Sequence, residues 1–148
     1  MGQVPDLPTT AYVLEMRRPF EDLRQVASQL AGLLVLAASG SPSAGPHHPM
    51  LSSAAQLYEE AVDALHHTSV PPEAREHHHH LRNAAAELRI SLSAAQSGMA
   101  LSAAQTGMAI DPVLVPLRAA YDQLQLASTT LPGFPMVTFD LACCAIKS

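Results

Sequence analysis

Charged side chains are scarce in this chain. They make up 14% of its 148 residues, against about 25% in an ordinary soluble domain, and Lys147 is the only lysine. The basic residues form no cluster, and binding to nucleic acids or to anionic membrane surfaces depends on such clusters. The composition therefore argues against a nucleic-acid partner. A surface so poor in charge is also weakly protected against association with another protein.

Aromatic residues, cysteines and long apolar runs are also few. Aromatic residues make up 4% of the chain, which has no tryptophan. Cys143 and Cys144 are adjacent, which is neither a disulfide framework nor the Cys-x-x-Cys spacing of redox or metal sites. The longest apolar stretch, residues 30–38, is too short to span a bilayer, and no basic segment followed by an apolar run marks the N-terminus. We therefore expect a cytoplasmic protein without a membrane span.

The motifs of the common enzyme classes are absent as well. The sequence contains no Walker loop, dinucleotide-binding fingerprint or nucleophile elbow. Acidic and basic residues occur, but no spacing gathers them into one catalytic group. The sequence favours a non-enzymatic role over an enzymatic one.

The chain is rich in amphipathic helical periodicity. Apolar residues recur every three or four positions in four segments, which are residues 17–39, 50–67, 72–109 and 111–131. Most of the connections between them are short and rich in proline, glycine and serine, which is typical of neighbouring antiparallel helices. The pattern predicts an all-α fold, with residues 1–148 forming one domain built as an antiparallel four-helix bundle.

Proline and glycine set the expected limits of the first helix. Pro19 fits the first helical position, so residues 1–16 are predicted to form an irregular arm, and Gly40 fits a helix stop. The predicted core stripes are Phe20, Leu23, Ala27, Leu30, Leu34 and Ala37; Leu51, Ala54, Tyr58, Ala61 and Leu65; Leu81, Ala85, Leu88, Leu92, Ala95 and Met99; and Leu114, Leu117, Tyr121, Leu124, Ser128 and Leu131.

Two further segments carry patterns of their own. Residues 92–100 and 101–109 are near-copies with a period of nine residues. At about 100° per residue, that period places the copies on opposite helix faces, so the helix is either buried on both sides or kinks or stops near Gly98. Residues 132–148 form a tail whose alternating apolar pattern predicts extended chain. This tail is expected to lie along the bundle or to pair with a partner chain.

The histidines suggest a metal site. All eight fall between residues 47 and 80, and imidazole is the commonest metal ligand in proteins. On an ideal helix, Asp63 lies close to His66. In the following predicted helix, Glu73, His77 and His80 fall within an arc of about 60°. The turn between the helices would bring both sets to one end of a hairpin. The candidate ligands for Zn, Ni or Cu are His66, His77, His80, Asp63 and Glu73.

The same helical geometry favours a plainer interpretation. The two ligand sets lie about 120° and 80° from the apolar stripes of their own helices, so they are expected on the flank of the bundle. Residues 77–80, four consecutive histidines, spread over about 300° and cannot all bind one ion on an intact helix. The histidine run is therefore predicted to be a solvated polar face with incidental metal affinity. A proton-sensing face is a further alternative.

Low surface charge, an alanine-rich bundle and a strand-like apolar tail together favour a role in association. We expect a helical interaction protein with a protein partner, acting as a small accessory or assembly subunit or as a homo-oligomer. The first alternative is a metal-binding helical protein that uses the histidine and carboxylate cluster of residues 59–80. The second alternative is an amphipathic protein that coats an apolar surface.

Overall fold

Four α-helices make up most of the chain that the structure describes. The computed structural model describes residues 7–41, 47–97 and 111–136. The helices are α1 (Leu7–Ala38), α2 (Pro49–His67), α3 (Arg75–Gln96) and α4 (Asp111–Thr130). A short 3-10 helix, Pro72–Ala74, precedes α3, and no strand occurs in these residues. The prediction of an all-α bundle is confirmed.

Hydrogen bonds between side chains and facing helices show which ends of the helices meet. These bonds are Gln29–Ser53 (3.3 Å) and Thr68–Glu15 (2.9 Å) between α1 and α2, and His80–Gln123 (2.8 Å) and Ser91–Val113 (2.8 Å) between α3 and α4. In each pair, the early part of one helix meets the late part of the other. These contacts fit a bundle in which α1 and α2 run in opposite directions, as do α3 and α4.

The first helix begins earlier than the sequence pattern indicates. The predicted irregular arm over residues 1–16 is wrong from Leu7 onwards, because α1 starts there. Tyr12 and Met16 are buried and extend the apolar stripe by two turns towards the N-terminus. Packing of this extra helical segment therefore adds core that the sequence pattern had assigned to an arm.

The prolines of α1 explain the difference. Pro8 occupies the first turn of the helix, where its missing N–H has no partner to lose. Pro19 lies inside the helix, where a proline removes one backbone hydrogen bond and normally disfavours helix by about 3 kcal/mol. Its ring is buried among core residues, so tertiary packing overrides the local preference.

The predicted stop at Gly40 is confirmed. Gly40 adopts a φ of 81°, the left-handed conformation that glycine takes without a steric penalty. The Gly40 amide donates to the carbonyl of Ala37, and the Ser41 amide donates to the carbonyl of Leu36, both at 3.0 Å. This pair of bonds is the Schellman motif, which satisfies carbonyls left open at a helix end.

Burial confirms the predicted core stripes of the first three helices within the described residues, and corrects that of α4. In α4 the buried side chains are Val113, Pro116, Leu117, Ala120, Leu124 and Ala127. Leu114, Tyr121 and Ser128, which the pattern placed in the core, are only half-buried. The core-facing side of α4 is therefore rotated from the predicted one, and some of its apolar residues lie outside the core.

The helices pack unevenly around the bundle. α4 packs closely on α3 and only loosely on α1. Buried alanines on both partners, among them Ala84 and Ala120, let α3 and α4 approach closely. The seam between α1 and α4 is left more open as a consequence.

The chain turns soon after α4 ends. Gly133, with a φ of 100°, reverses the chain, and Phe134 then enters the core. Residues 98–110, which hold most of the nine-residue repeat, and residues 137–148, which carry the alternating pattern, lie outside the described residues. In the part of the chain that the structure describes, no helix combines the length and apolarity needed to cross a bilayer.

The core assignment predicts unequal costs for two aliphatic truncations on α3. Leu88 is fully buried, whereas Ile90, two residues later, is 55% exposed. Leu88→Ala should lower the free energy of unfolding by about 2–5 kcal/mol, since it leaves a cavity. Ile90→Ala should change it by about 1 kcal/mol or less. Urea denaturation of both variants measures this, and equal losses would contradict the assignment.

Candidate functional site

The five candidate metal ligands occupy different surroundings. His77 is fully buried and His80 is half-buried, whereas His66, Asp63 and Glu73 are exposed. Across residues 7–41, 47–97 and 111–136, no group of three or more His, Cys, Asp or Glu side chains is placed to hold a metal ion. Binding of Zn, Ni or Cu by these residues stays a prediction.

Asp63 and Glu76, of which only Asp63 is a candidate ligand, pair with histidines of their own helix. Asp63 Oδ1 lies 3.3 Å from His67 Nδ1, which also lies 2.8 Å from the Asp63 backbone oxygen. Glu76 Oε1 lies 3.8 Å from His80 Nε2, while His80 Nδ1 lies 2.8 Å from the Gln123 amide oxygen. Both contacts join residues four positions apart on one helix. They do not bridge the α2–α3 hairpin, where the predicted ligand sets would have to meet.

The prediction that the histidine run is a solvated face is wrong for His77. Its ring is 0% exposed, and its Nδ1 lies 2.8 Å from the hydroxyl of Tyr12 on α1. Phe134 packs against the ring with centroids 4.0 Å apart. His77 precedes Leu81 by one helical turn, so it continues the buried stripe of α3 towards its start. This buried histidine joins three parts of the chain that are distant in sequence.

Burial determines the protonation of this contact. Burial, with smaller contributions from the neighbouring His78 and His80, lowers the pKa of His77 to about 4. Burial also raises the pKa of Tyr12, so its hydroxyl keeps its proton and shares a hydrogen bond with Nδ1 of the neutral ring. The other ring nitrogen, Nε2, has no hydrogen-bond partner among the described residues. The His77 ring has no solvent access and packs as part of the core.

Phe134 completes this buried aromatic group. Its ring centroid lies 5.3 Å from that of Phe20 on α1, in an edge-to-face arrangement. The positive φ of Gly133 allows the turn that aims Phe134 at the core, and a Cβ at Gly133 would approach Val13 to 3.1 Å. No sequence pattern predicted this contact, although a signal exists, since an aromatic residue directly follows the turn residues 132–133.

The side of the bundle between α1 and α4 contains two cavities. The first, of about 610 Å³, lies at the end of α4 and is lined by Arg17, Phe20, Glu21, Ser128, Gly133, Phe134 and Pro135. The second, of about 420 Å³, is a mainly apolar groove lined by Arg24, Ala27, Ser28, Ala31, Leu114, Leu117, Arg118, Tyr121 and Asp122. Both open to solvent, so the loosely packed seam is accessible along much of its length.

Exposed aliphatic side chains flank the second groove. On α4, Val115 is 60% exposed and Leu126 is 46% exposed. On α1, Val35 is 68% exposed and lies one turn beyond Ala31, which lines the groove. We call this surface the α1–α4 face, and its apolar members are Val35, Leu114, Val115, Tyr121 and Leu126. An apolar groove flanked by exposed aliphatic residues is typical of a surface that another protein chain covers.

The surroundings of His77 predict how stability changes with pH. Above about pH 6.5 the ring is neutral in both states and contributes nothing. Between pH 6.5 and 4 the unfolded chain takes up a proton that the folded chain does not, so the free energy of unfolding should fall by roughly 3 kcal/mol. His77→Gln should remove this part of the pH dependence in urea denaturation, whatever its effect on stability at neutral pH.

The exposed neighbour His79 provides the matched control for that measurement. His79→Gln removes an imidazole from the same run without touching the core, so it should keep the native pH dependence. Equal slopes for the native chain and His77→Gln would contradict the buried, neutral state of His77.

Similarity to known proteins does not assign a role to either site. Comparisons with protein-family models, with curated proteins and with solved structures find no match to this chain. The two features that distinguish the described residues are the buried His77 and the solvent-exposed α1–α4 face.

Proposed function

We propose that this chain is a non-enzymatic helical interaction protein that associates with a second copy of itself through the α1–α4 face. The observation that carries the proposal is the placement of Val115 and Leu126, which α4 exposes beside an apolar groove. Complete burial of a valine or leucine side chain stabilises an assembly by about 1.5–3 kcal/mol. Covering this face with protein would supply that stabilisation at several positions at once.

The small net charge and the distribution of charges support self-association. A net charge of -5 spread over 148 residues gives only weak repulsion between copies. The α1–α4 face carries both signs, because Arg118 and Asp122 border the groove. A face with apolar residues and both charges can complement an identical face, whereas a face of one sign would repel it.

The surroundings of the buried histidine support a non-enzymatic role. His77 lines neither cavity of the α1–α4 side, so the strongly perturbed imidazole is separated from the accessible surface. Perturbed titratable groups inside a cleft are a usual sign of catalysis. Here the perturbed group belongs to the core, and the accessible groove is mainly apolar.

Two other places expose aliphatic residues. Leu7 and Leu14 are exposed on the early part of α1, at multiples of seven residues before Val35, so they lie on the same helix face as that member of the α1–α4 face. Ile90 is exposed on α3, which contributes no residue to either cavity. Ile90 therefore provides the control position.

Sedimentation velocity over a wide concentration range tests the proposal. The native chain should show a weight-average sedimentation coefficient that rises with concentration. Val115→Glu should raise the dissociation constant by about 100-fold or more, because a symmetric contact loses the valine twice and buries two charges. Circular dichroism should show the native helix content, since Val115 lies outside the core.

Ile90→Glu is the matched control, because it places the same charge on an exposed aliphatic position of α3, which lines neither cavity. It should associate as the native chain does. A native chain that stays monomeric at every concentration would contradict the proposal. Loss of association in a control variant, with Val115→Glu unaffected, would also contradict it and would place the contact on another face.

A further inference from the structure

The exposed side of α4 carries a regular stripe of four residues. Val115, Arg118, Asp122 and Leu126 follow one another at spacings of three, four and four, so they lie on one helix face. All four are exposed. The stripe has an aliphatic residue at each end and opposite charges between them. We call it the α4 stripe.

The α4 stripe is symmetric about its middle. Arg118 and Asp122 lie equally far on either side of residue 120. Val115 and Leu126 lie equally far on either side of the midpoint between residues 120 and 121. When two identical helices pack antiparallel about a two-fold axis, each residue faces the one equally far beyond the axis. One two-fold axis beside residue 120 would therefore place Val115 opposite Leu126, and Arg118 opposite Asp122, of the other copy.

We infer that α4 packs antiparallel against α4 of a second copy about a two-fold axis beside residue 120. In this arrangement Val115 contacts the partner's Leu126, and Arg118 forms an ion pair with the partner's Asp122. The symmetry repeats each contact, which gives two aliphatic pairs and two ion pairs. This arrangement rests on the proposed function and specifies its partner and its register.

The charges select this arrangement over a parallel one. In parallel packing with the same register, each Arg118 would face a second guanidinium and each Asp122 a second carboxylate. Such like-charge contacts oppose association, whereas the antiparallel register joins opposite charges. Neither residue has an ion pair among the described residues. Within the helix, arginine also precedes aspartate by four positions, the less favourable order for an internal pair.

The groove explains why α4 and no other helix forms the contact. Arg118 and Asp122 line the groove as well as belonging to the α4 stripe. A partner helix on the stripe therefore lies beside the mouth of the groove, which the half-buried Leu114 and Tyr121 also line. The apolar residues that α4 keeps outside its own core would then be buried between copies.

Charge reversal tests the register. Arg118→Glu and Asp122→Arg should each weaken self-association by about tenfold or more in sedimentation velocity, since two symmetry-related pairs become like-charged together. An equimolar mixture of the two variants should associate again, because every cross-copy contact in the mixed dimer joins a carboxylate to a guanidinium. Effects within one helix cannot produce this rescue, since each chain keeps its own substitution.

The double variant R118E/D122R supplies a matched control, because it keeps the native net charge. Both reversed pairs are again complementary across the axis, so it should associate as the native chain does. Weakened singles without rescue in the mixture or in the double variant would overturn the register. Association that resists both reversals but is lost in Val115→Glu would also overturn it while leaving the proposed function intact. A monomeric native chain would overturn both.

Discussion

The close packing of α4 on α3 determines which surface this chain presents. Ser91 on α3 donates a buried hydrogen bond of 2.8 Å to the Val113 carbonyl near the start of α4, and buried alanines let the two helices approach. An α-helix cannot bury all sides in a two-layer bundle. Because one side of α4 packs on α3, the seam between α4 and α1 stays open, and aliphatic residues of α4 remain exposed.

The buried aromatic group consists of Tyr12, Phe20, His77 and Phe134, and it connects α1, α3 and the chain after α4. His77 shares a hydrogen bond with Tyr12 of α1, and its ring packs on Phe134, which follows α4. Phe134 also packs edge-to-face on Phe20, so the chain just after α4 is tied to α1. The groove lies farther along the seam, where α4 packs closely on α3 and only loosely on α1.

Much of the fold follows from local pattern, and its exceptions have physical causes. The first three helices each bury one apolar stripe, so periodicity predicted their cores. α4 is apolar on more than one side, so periodicity placed the half-buried Leu114 and Tyr121 in its core. The start of α1 was misjudged because Pro8 and Pro19 both fit a first turn. Burial of His77 depends on Tyr12, 65 residues away, and no local pattern carries that contact.

A distance between two copies tests the central claim most directly. With Cys143 and Cys144 replaced by serine, a nitroxide at the exposed Thr129 would report on the two-fold arrangement of α4 by dipolar spectroscopy. Thr129 lies nine residues beyond residue 120, so antiparallel copies should separate the two positions by about 27 Å along the helix. A distance between copies near this value is the predicted result. A separation close to the ~10 Å of parallel neighbouring helices, or no coupling between copies, would contradict it.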